Sequence, residues 1–221
     1  MMRAIVLATQ KGGSGKSTLA IGLAAAAMEN GHRVCIVEAD QQGTVSSWRR
    51  RRAVPEPRIE RAGSAMEIER ALQTLRNGGF TLALIDTPAT SNDLTGRAIA
   101  AADMCLIPAR PSPADIEAAL PTLDTVRSLG KPFAFVLNQA PARGYRPEEG
   151  AAALSAAGML ALPYIVQRND HQDALGAGFT VIEFAPTGRA AQEIRSLWQW
   201  VWQKMTGEAF DLGRTPIRAV G

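Results

Sequence analysis

Cysteine is scarce in this chain. Only Cys35 and Cys105 occur, each inside an apolar run, Val34-Cys35-Ile36-Val37 and Met104-Cys105-Leu106-Ile107. That excludes a disulfide framework and predicts buried, reduced thiols. Histidine is as rare, and His32 and His171 lie too far apart in sequence to form metal-ligand spacing. No apolar run approaches the length of a membrane span. The first apolar run is five residues long with no cationic segment ahead of it, so no signal peptide is expected and the chain reads as cytoplasmic. Aromatic residues make up only 5%, and four of the 24 basic residues are lysine. The net charge of +3 does not decide for or against an anionic partner. A pI near 9.2 and the twenty arginines leave room for a basic face.

What is abundant is apolar sequence. At 221 residues and 46% hydrophobic, the chain suffices for one well-buried α/β core and is short for two. The expected organisation is a single domain over residues 1–206 and a flexible tail over 207–221. No internal repeat, low-complexity tract or linker interrupts it.

One stretch organises the rest: Lys11-Gly12-Gly13-Ser14-Gly15-Lys16-Ser17-Thr18, between the apolar run Ala4–Ala8 and an Ala-rich helical segment. Gly12, Gly13 and Gly15 let backbone N–H groups turn inward around a polyphosphate, and the following helix presents its positive end to it. Lys16 then supplies charge to the β and γ phosphates, Ser17 a hydroxyl for Mg²⁺ and Thr18 a further phosphate hydrogen bond. The alternative, a chance glycine turn, leaves the strand, the Lys-Ser pair and the helix in register without a reason.

The chain then proceeds as alternating strands and helices. A helix over Leu19–Asn30 ends at Gly31, and a strand over Val34–Ala39 delivers Glu38 and Asp40 to its carboxyl end. The segment Ser46-Ser47-Trp48-Arg49-Arg50-Arg51-Arg52 carries four arginines that point around a helix in all directions; a solvated helix end is expected, with phosphate contact as the alternative. Ser64-Ala65-Met66-Glu67 is a capping-box pattern opening a helix with Ile68, Ala71, Leu72 and Leu75 on one face. Phe80–Ile85 is a buried-type strand ending in Asp86, the arrangement in which a carboxylate holds Mg²⁺ through water. Further strands are expected at Met104–Ile107, Phe133–Leu137 and Leu162–Val166, a helix between Ser112 and Gly130, and a loop over 140–150. The last helix, about Thr187–Met205, places Ile194, Leu197, Trp198, Val201, Trp202 and Met205 on one stripe with Trp200 off it, a core-packing pattern.

With Lys11 at its head, the glycine loop resembles the deviant Walker A motif of the ParA/MinD ATPases, and the chain is most similar to the small ParA partition ATPases. With a first strand starting at residue 4, no N-terminal helix-turn-helix domain is expected. The resemblance implies a P-loop fold, a mostly parallel twisted sheet with helices on both faces. It implies ATP and Mg²⁺ as ligands and an ATP sandwich homodimer in which Lys11 reaches the partner's nucleotide. Glu38-Ala39-Asp40-Gln41-Gln42-Gly43 resembles the family's Asp-x-Asp-Pro-Gln-Gly. By that match Asp40 activates the attacking water and touches the Mg²⁺ shell; its alternative role is a helix N-cap. Glu38 and Gln41 depart from the pattern and put the hydrolysis rate in question.

Asn138, after the Phe133–Leu137 strand, matches an asparagine that contacts adenine in related ATPases, with a turn-forming role as the alternative. Arg168-Asn169-Asp170 falls where the family has a loop near the nucleotide, and Asp115 reads as a helix cap. The activity implied is slow ATP hydrolysis stimulated by a ParB-like or adaptor partner, with non-specific DNA binding and nucleoid association. Arg143, Arg146, Arg189, Arg195, Arg214, Arg218 and Lys204 are the candidate DNA contacts, and no membrane contact is expected. Two rivals stand beside this reading: a MinD-type membrane-positioning ATPase, on account of the tryptophan helix, and a metabolic ligase resembling dethiobiotin synthetase. Neither cysteine is placed as an iron–sulfur ligand would be.

Overall fold

Apolar runs without polar alternation form stable strands only when both faces are covered, and here both are. The computed structural model describes residues 1–90 and 93–207. Six strands form one sheet: β1 (Arg3–Leu7), β2 (Val34–Glu38), β3 (Arg58–Arg61), β4 (Leu82–Asp86), β5 (Met104–Ala109) and β6 (Phe133–Leu137). Their order is β3-β2-β4-β1-β5-β6, with every neighbouring pair parallel. The helices among the described residues are α1 (Lys16–Glu29), α2 (Thr44–Arg51), α3 (Ala65–Asn77), α4 (Asp93–Ala101), α5 (Pro113–Ser128), α6 (Arg146–Ala157), α7 (Asn169–Gly176), α8 (Val181–Phe184) and α9 (Arg189–Thr206).

The period of two along each strand divides the interior into two cores. Ile5, Leu7, Ile36, Leu84 and Leu106 face α1, α2 and α9 on one side. Val6, Val37, Ile85, Ile107 and Phe135 face α3 to α6 on the other. α1 is buried from Leu19 to Ala27 because it lies between the sheet and α9, and Gly22 lets Ile194 of α9 approach to where a Cβ would stand 3.2 Å from it. In α9, Ile194, Leu197, Trp198 and Val201 are buried, and Trp200, Trp202 and Met205 pack partly buried against the same core. The tryptophan stripe is therefore core packing, as its periodicity predicts, and Trp200 joins it. Both cysteines are buried and unpaired; burial pushes the Cys35 thiol up to about 12 and Cys105 higher still.

Several expectations need correction. Leu162–Val166 is not a strand: Leu160 and Val166 make only isolated bridges, to Phe135 and Ala140. Ala161 and Ile165 donate to Phe135 and Leu137, and Pro163 between them has no N–H with which to continue the ladder. The expected loop over 140–150 ends early, because α6 starts at Arg146 with Pro147 in its first turn, where proline costs no hydrogen bond. Asn169 and Asp170 open α7 instead of lying in a loop. β3 is an edge strand of alternating charge, Arg58-Ile59-Glu60-Arg61, and its sequence carries no buried-run signal. At α3, Ser64 caps Glu67 N–H at 3.3 Å, but the Glu67 carboxylate reaches Gly63 N–H at 2.6 Å, one residue before the box position. Asp115 exchanges hydrogen bonds with the N-cap Ser112 and takes one from Arg110 at 2.9 Å, as a cap residue should. Of the expected tail 207–221, only Gly207 lies within the described residues.

Candidate nucleotide site

The carboxyl ends of β1, β2 and β4 converge on a cavity of about 900 Å³ walled by the glycine loop, Asp40, Gln41, Gln42 and Pro88. Ligands of open α/β sheets collect at such ends. The loop turns through Gly13 and Gly15, both at positive φ. Gly15 is irreplaceable for a second reason: a Cβ there would stand 2.3 Å from the Asn138 amide nitrogen. That amide donates to the Ser14 carbonyl at 2.7 Å, and Gln139 donates to the Gly13 carbonyl at 2.8 Å. The two carboxamides at the end of β6 thus brace the loop from behind. Asn138 thus braces the loop with one amide N–H and also lines the adjoining cavity; Gln139 shares the bracing and carried no signal beyond standing next to it.

Lys16 is buried, with its ammonium 3.4 Å from the carbonyls of both Thr9 and Lys11, the long limit of hydrogen bonding. Burial lowers its pKa, opposed by the charges of Asp86 and Asp40. Asp86 ends β4 fully buried, and burial pushes its carboxyl up to about 7 against the pull of the Ser17 hydroxyl and the Lys16 ammonium. Neither Asp86 oxygen has a hydrogen-bond partner of normal geometry, and the buried Ser14 and Thr9 hydroxyls also lack one. Orphaned carboxylate oxygens beside Lys16 and Ser17 are the donor set a hard cation such as Mg²⁺ takes. No cluster of three His, Cys, Asp or Glu that could hold a metal ion occurs among the described residues.

Asp40 lines the same cavity and takes the Gln42 N–H on Oδ1 at 2.9 Å. It is not the N-cap of α2; Gly43, in the left-handed region, holds that place. Lys11 is half-exposed, and its ammonium makes no ion pair or hydrogen bond among the described residues. Ser17 and Thr18 line the main cavity, and Thr18 also lines an adjoining one of about 230 Å³ walled by Asn138, Val166, Arg168 and His171. Arg168 is held by Glu193, and burial lowers the His171 pKa, whose Nε2 has no partner.

α2 ties the Asp40 loop to the rest of the fold. The buried Glu38 carboxylate accepts Ser46 N–H at 3.0 Å and the Ser46 hydroxyl, with Arg61 3.8 Å away. Trp48 donates to the Phe179 carbonyl at 2.9 Å. Arg52 lies under the Trp48 ring and forms a two-pronged ion pair with Glu183 at 2.6 and 2.7 Å. The arginine run is therefore not solvated throughout: Arg50 and Arg51 are exposed, Arg49 is half-buried and Arg52 is core.

Among the candidate cations, Arg195 is neutralised by Glu29 at 2.7 and 2.8 Å, which takes it out of the unpaired set. Arg143, Arg146, Arg189 and Lys204 are exposed, and Arg214 and Arg218 lie outside the described residues. No described helix is long and apolar enough to cross a membrane.

A model of the VirC1 protein family matches residues 2–133. Protein virC1 of Rhizobium radiobacter is 34% identical over 126 residues, 55% of this chain and 54% of that protein. The chromosome-partitioning ATPase Soj of Thermus thermophilus is 30% identical over 236 residues, 89% of this chain and 94% of that protein. The chain thus matches about half the length of the first relative and nearly all of the second. The solved structure of a variant of Cyanothece McdA in complex with ATP superposes with a TM-score of 0.75 at 17% identity, covering 96% of this chain and 99% of that one, a likeness of fold.

Proposed function

The chain belongs to the VirC1 family of ParA/MinD-type P-loop ATPases, and on that premise we propose that it is an ATP-driven dimerising switch that binds DNA without reading its sequence and positions a cargo. The observation that carries the proposal is the contrast between the two loop lysines. Lys16 is buried among carbonyls of its own loop and near Asp86, whereas Lys11 is half-exposed with its ammonium unpartnered, free to reach a phosphate outside its own protomer.

In this reading the backbone amides of Gly12, Gly13, Ser14 and Gly15 and the Lys16 ammonium hold the ATP phosphates, with Thr18 bonding a further oxygen. Ser17, Asp86 and Asp40 would hold Mg²⁺, which when bound neutralises phosphate charge. Asp40, with Oδ1 anchored by Gln42, orients a water on its remaining oxygen. The water oxygen attacks the γ phosphorus, the bond to the ADP oxygen breaks, and the water's proton leaves through Asp40. Lys11 of one protomer stabilises the charge developing on the partner's nucleotide. Hydrolysis is slow alone and is stimulated by a ParB-like or adaptor protein, after which the dimer leaves the nucleoid. DNA binding of this kind rests on phosphate contacts and weakens steeply with salt.

Lys11→Ala tests the proposal. Binding of ATP by the isolated chain is expected to persist, while ATP-dependent dimerisation, measured by light scattering after size exclusion, and DNA binding are lost and turnover falls ~100-fold or more. Turnover unaffected by Lys11→Ala would sink the switch and favour a monomeric ligase chemistry.

A further inference from the structure

Resting on the DNA-binding reading above, we propose that the DNA backbone is held at the opposite end of the sheet from the nucleotide, by Arg33 and Arg49 with Arg50 and Arg51 beside them. Val34 opens β2, Arg58 opens β3 and Phe80 precedes β4, and together these amino ends wall a cavity of about 710 Å³ that also takes in Arg33, Arg49 and Ile59.

Arg33 and Arg49 are pinned there by groups that leave their charge intact. Arg33 donates one nitrogen to the Gly78 carbonyl at 2.9 Å and stacks 4.8 Å from the Phe80 ring centroid. Arg49 donates to the Arg52 carbonyl at 3.3 Å. Neither has a carboxylate within ion-pair distance among the described residues, unlike Arg52, Arg110, Arg168 and Arg195, each matched to an acid. Arg58, also in the wall, is matched to Glu60, and Glu56 is the one carboxylate lining the cavity among the described residues.

A guanidinium has five N–H donors, so one bond to a carbonyl orients the fork and leaves the rest for phosphate oxygens. Holding the side chain in advance reduces the entropy lost on binding, and Ile59 and Phe80 line the same cavity beside the two arginines. The positive charge continues out of the cavity along the last turn of α2, where exposed Arg50 and Arg51 are held by the Ser47 hydroxyl at 3.2 and 3.5 Å, again without an acid. A run of cations leaving a pocket suits a polyphosphate chain longer than a mononucleotide, and the duplex backbone is such a chain.

The test uses the full chain with ATP and an arbitrary-sequence duplex, read by fluorescence anisotropy across a salt series. The variants are Arg33→Ala/Arg49→Ala, Arg33→Lys/Arg49→Lys and, for comparison, Arg143→Ala/Arg146→Ala. The alanine pair is expected to reduce the slope of log affinity against log salt by about 1.8, two phosphate contacts at about 0.9 each. The lysine pair, which keeps the charges, retains most of the slope. Affinity for a fluorescent ATP analogue stays unchanged in all of them, which also reports a folded chain.

An unchanged slope in the alanine pair, with wild type binding DNA, overturns this placement and leaves the switch standing. Wild type that dimerises and hydrolyses ATP yet binds no duplex overturns both the placement and the DNA reading. Loss of binding to phosphatidylserine vesicles in the alanine pair, with DNA affinity intact, assigns the arginines to a membrane surface and overturns the proposal.

Discussion

Two acids stand side by side at the carboxyl ends of adjacent strands, Glu38 on β2 and Asp86 on β4, paired in register and both buried. Their surroundings differ in one respect. Glu38 accepts a hydrogen bond on each oxygen, from Ser46 N–H and the Ser46 hydroxyl, with Arg61 beyond, and it closes the amino end of α2. Asp86 has no partner of normal geometry for either oxygen, and burial holds its carboxyl near neutrality at about 7. A buried carboxylate with both oxygens hydrogen-bonded serves as a structural joint; one without such bonds keeps acceptor capacity that a cation can use. The pair shows that burial by itself does not separate a structural carboxylate from a candidate site; the partners each one has do.

The strongest way to break the contrast is Asp86→Asn. Turnover in a phosphate-release assay should fall ~100-fold or more, since the amide cannot hold Mg²⁺. The same substitution should alter the pH dependence of stability without nucleotide. The folded chain keeps a proton on Asp86 between the ordinary carboxylate range and about 7, where the unfolded chain has lost it. Folded molecules therefore bind more protons there, and stability falls as pH rises across that window, by at most about 4 kcal/mol. Urea melts near pH 4 and pH 8 should show most of that fall in wild type and a flatter profile in Asp86→Asn.

Glu38→Gln sharpens the contrast from the other side. The amide keeps one acceptor but loses the charge-assisted pair with Ser46, so stability should drop by about 1–3 kcal/mol in urea melts, with affinity for an ATP analogue retained. A loss of nucleotide affinity instead would place Glu38 in the site. Ser46→Ala is the mildest change. It removes the hydroxyl and leaves the backbone bond to Glu38, so about 1 kcal/mol is expected by the same measurement.

How much of this was legible depends on how local each feature is. Lys16, Ser17 and Asp86 could be read because an apolar run followed at once by a glycine loop, or by a single acid, leaves the chain one geometry, a strand handing its end to a site. The bracing by Asn138 joins residues 124 positions apart, and the Arg52–Glu183 pair joins residues 131 apart. No periodicity reports such meetings, so Arg52 looked like its solvated neighbours. β3 escaped because an edge strand needs only one partner and its residues are half exposed. α6 escaped because Pro147 breaks a helix in its middle and opens one at its start, and the sequence does not say which.

The sequence by itself determined the alternation of strand and helix, the glycine loop between β1 and α1, and the acid at the end of β4, since each follows from a few neighbouring residues and their steric limits. Only the tertiary structure decided which polar groups are satisfied. It set Glu38 against Ser46, left the Asp86 oxygens without a hydrogen bond of normal geometry and Arg33 and Arg49 without an acid among the described residues, and turned Asn138 toward Ser14. Satisfaction is a property of what stands across the fold, and chain connectivity alone does not carry it.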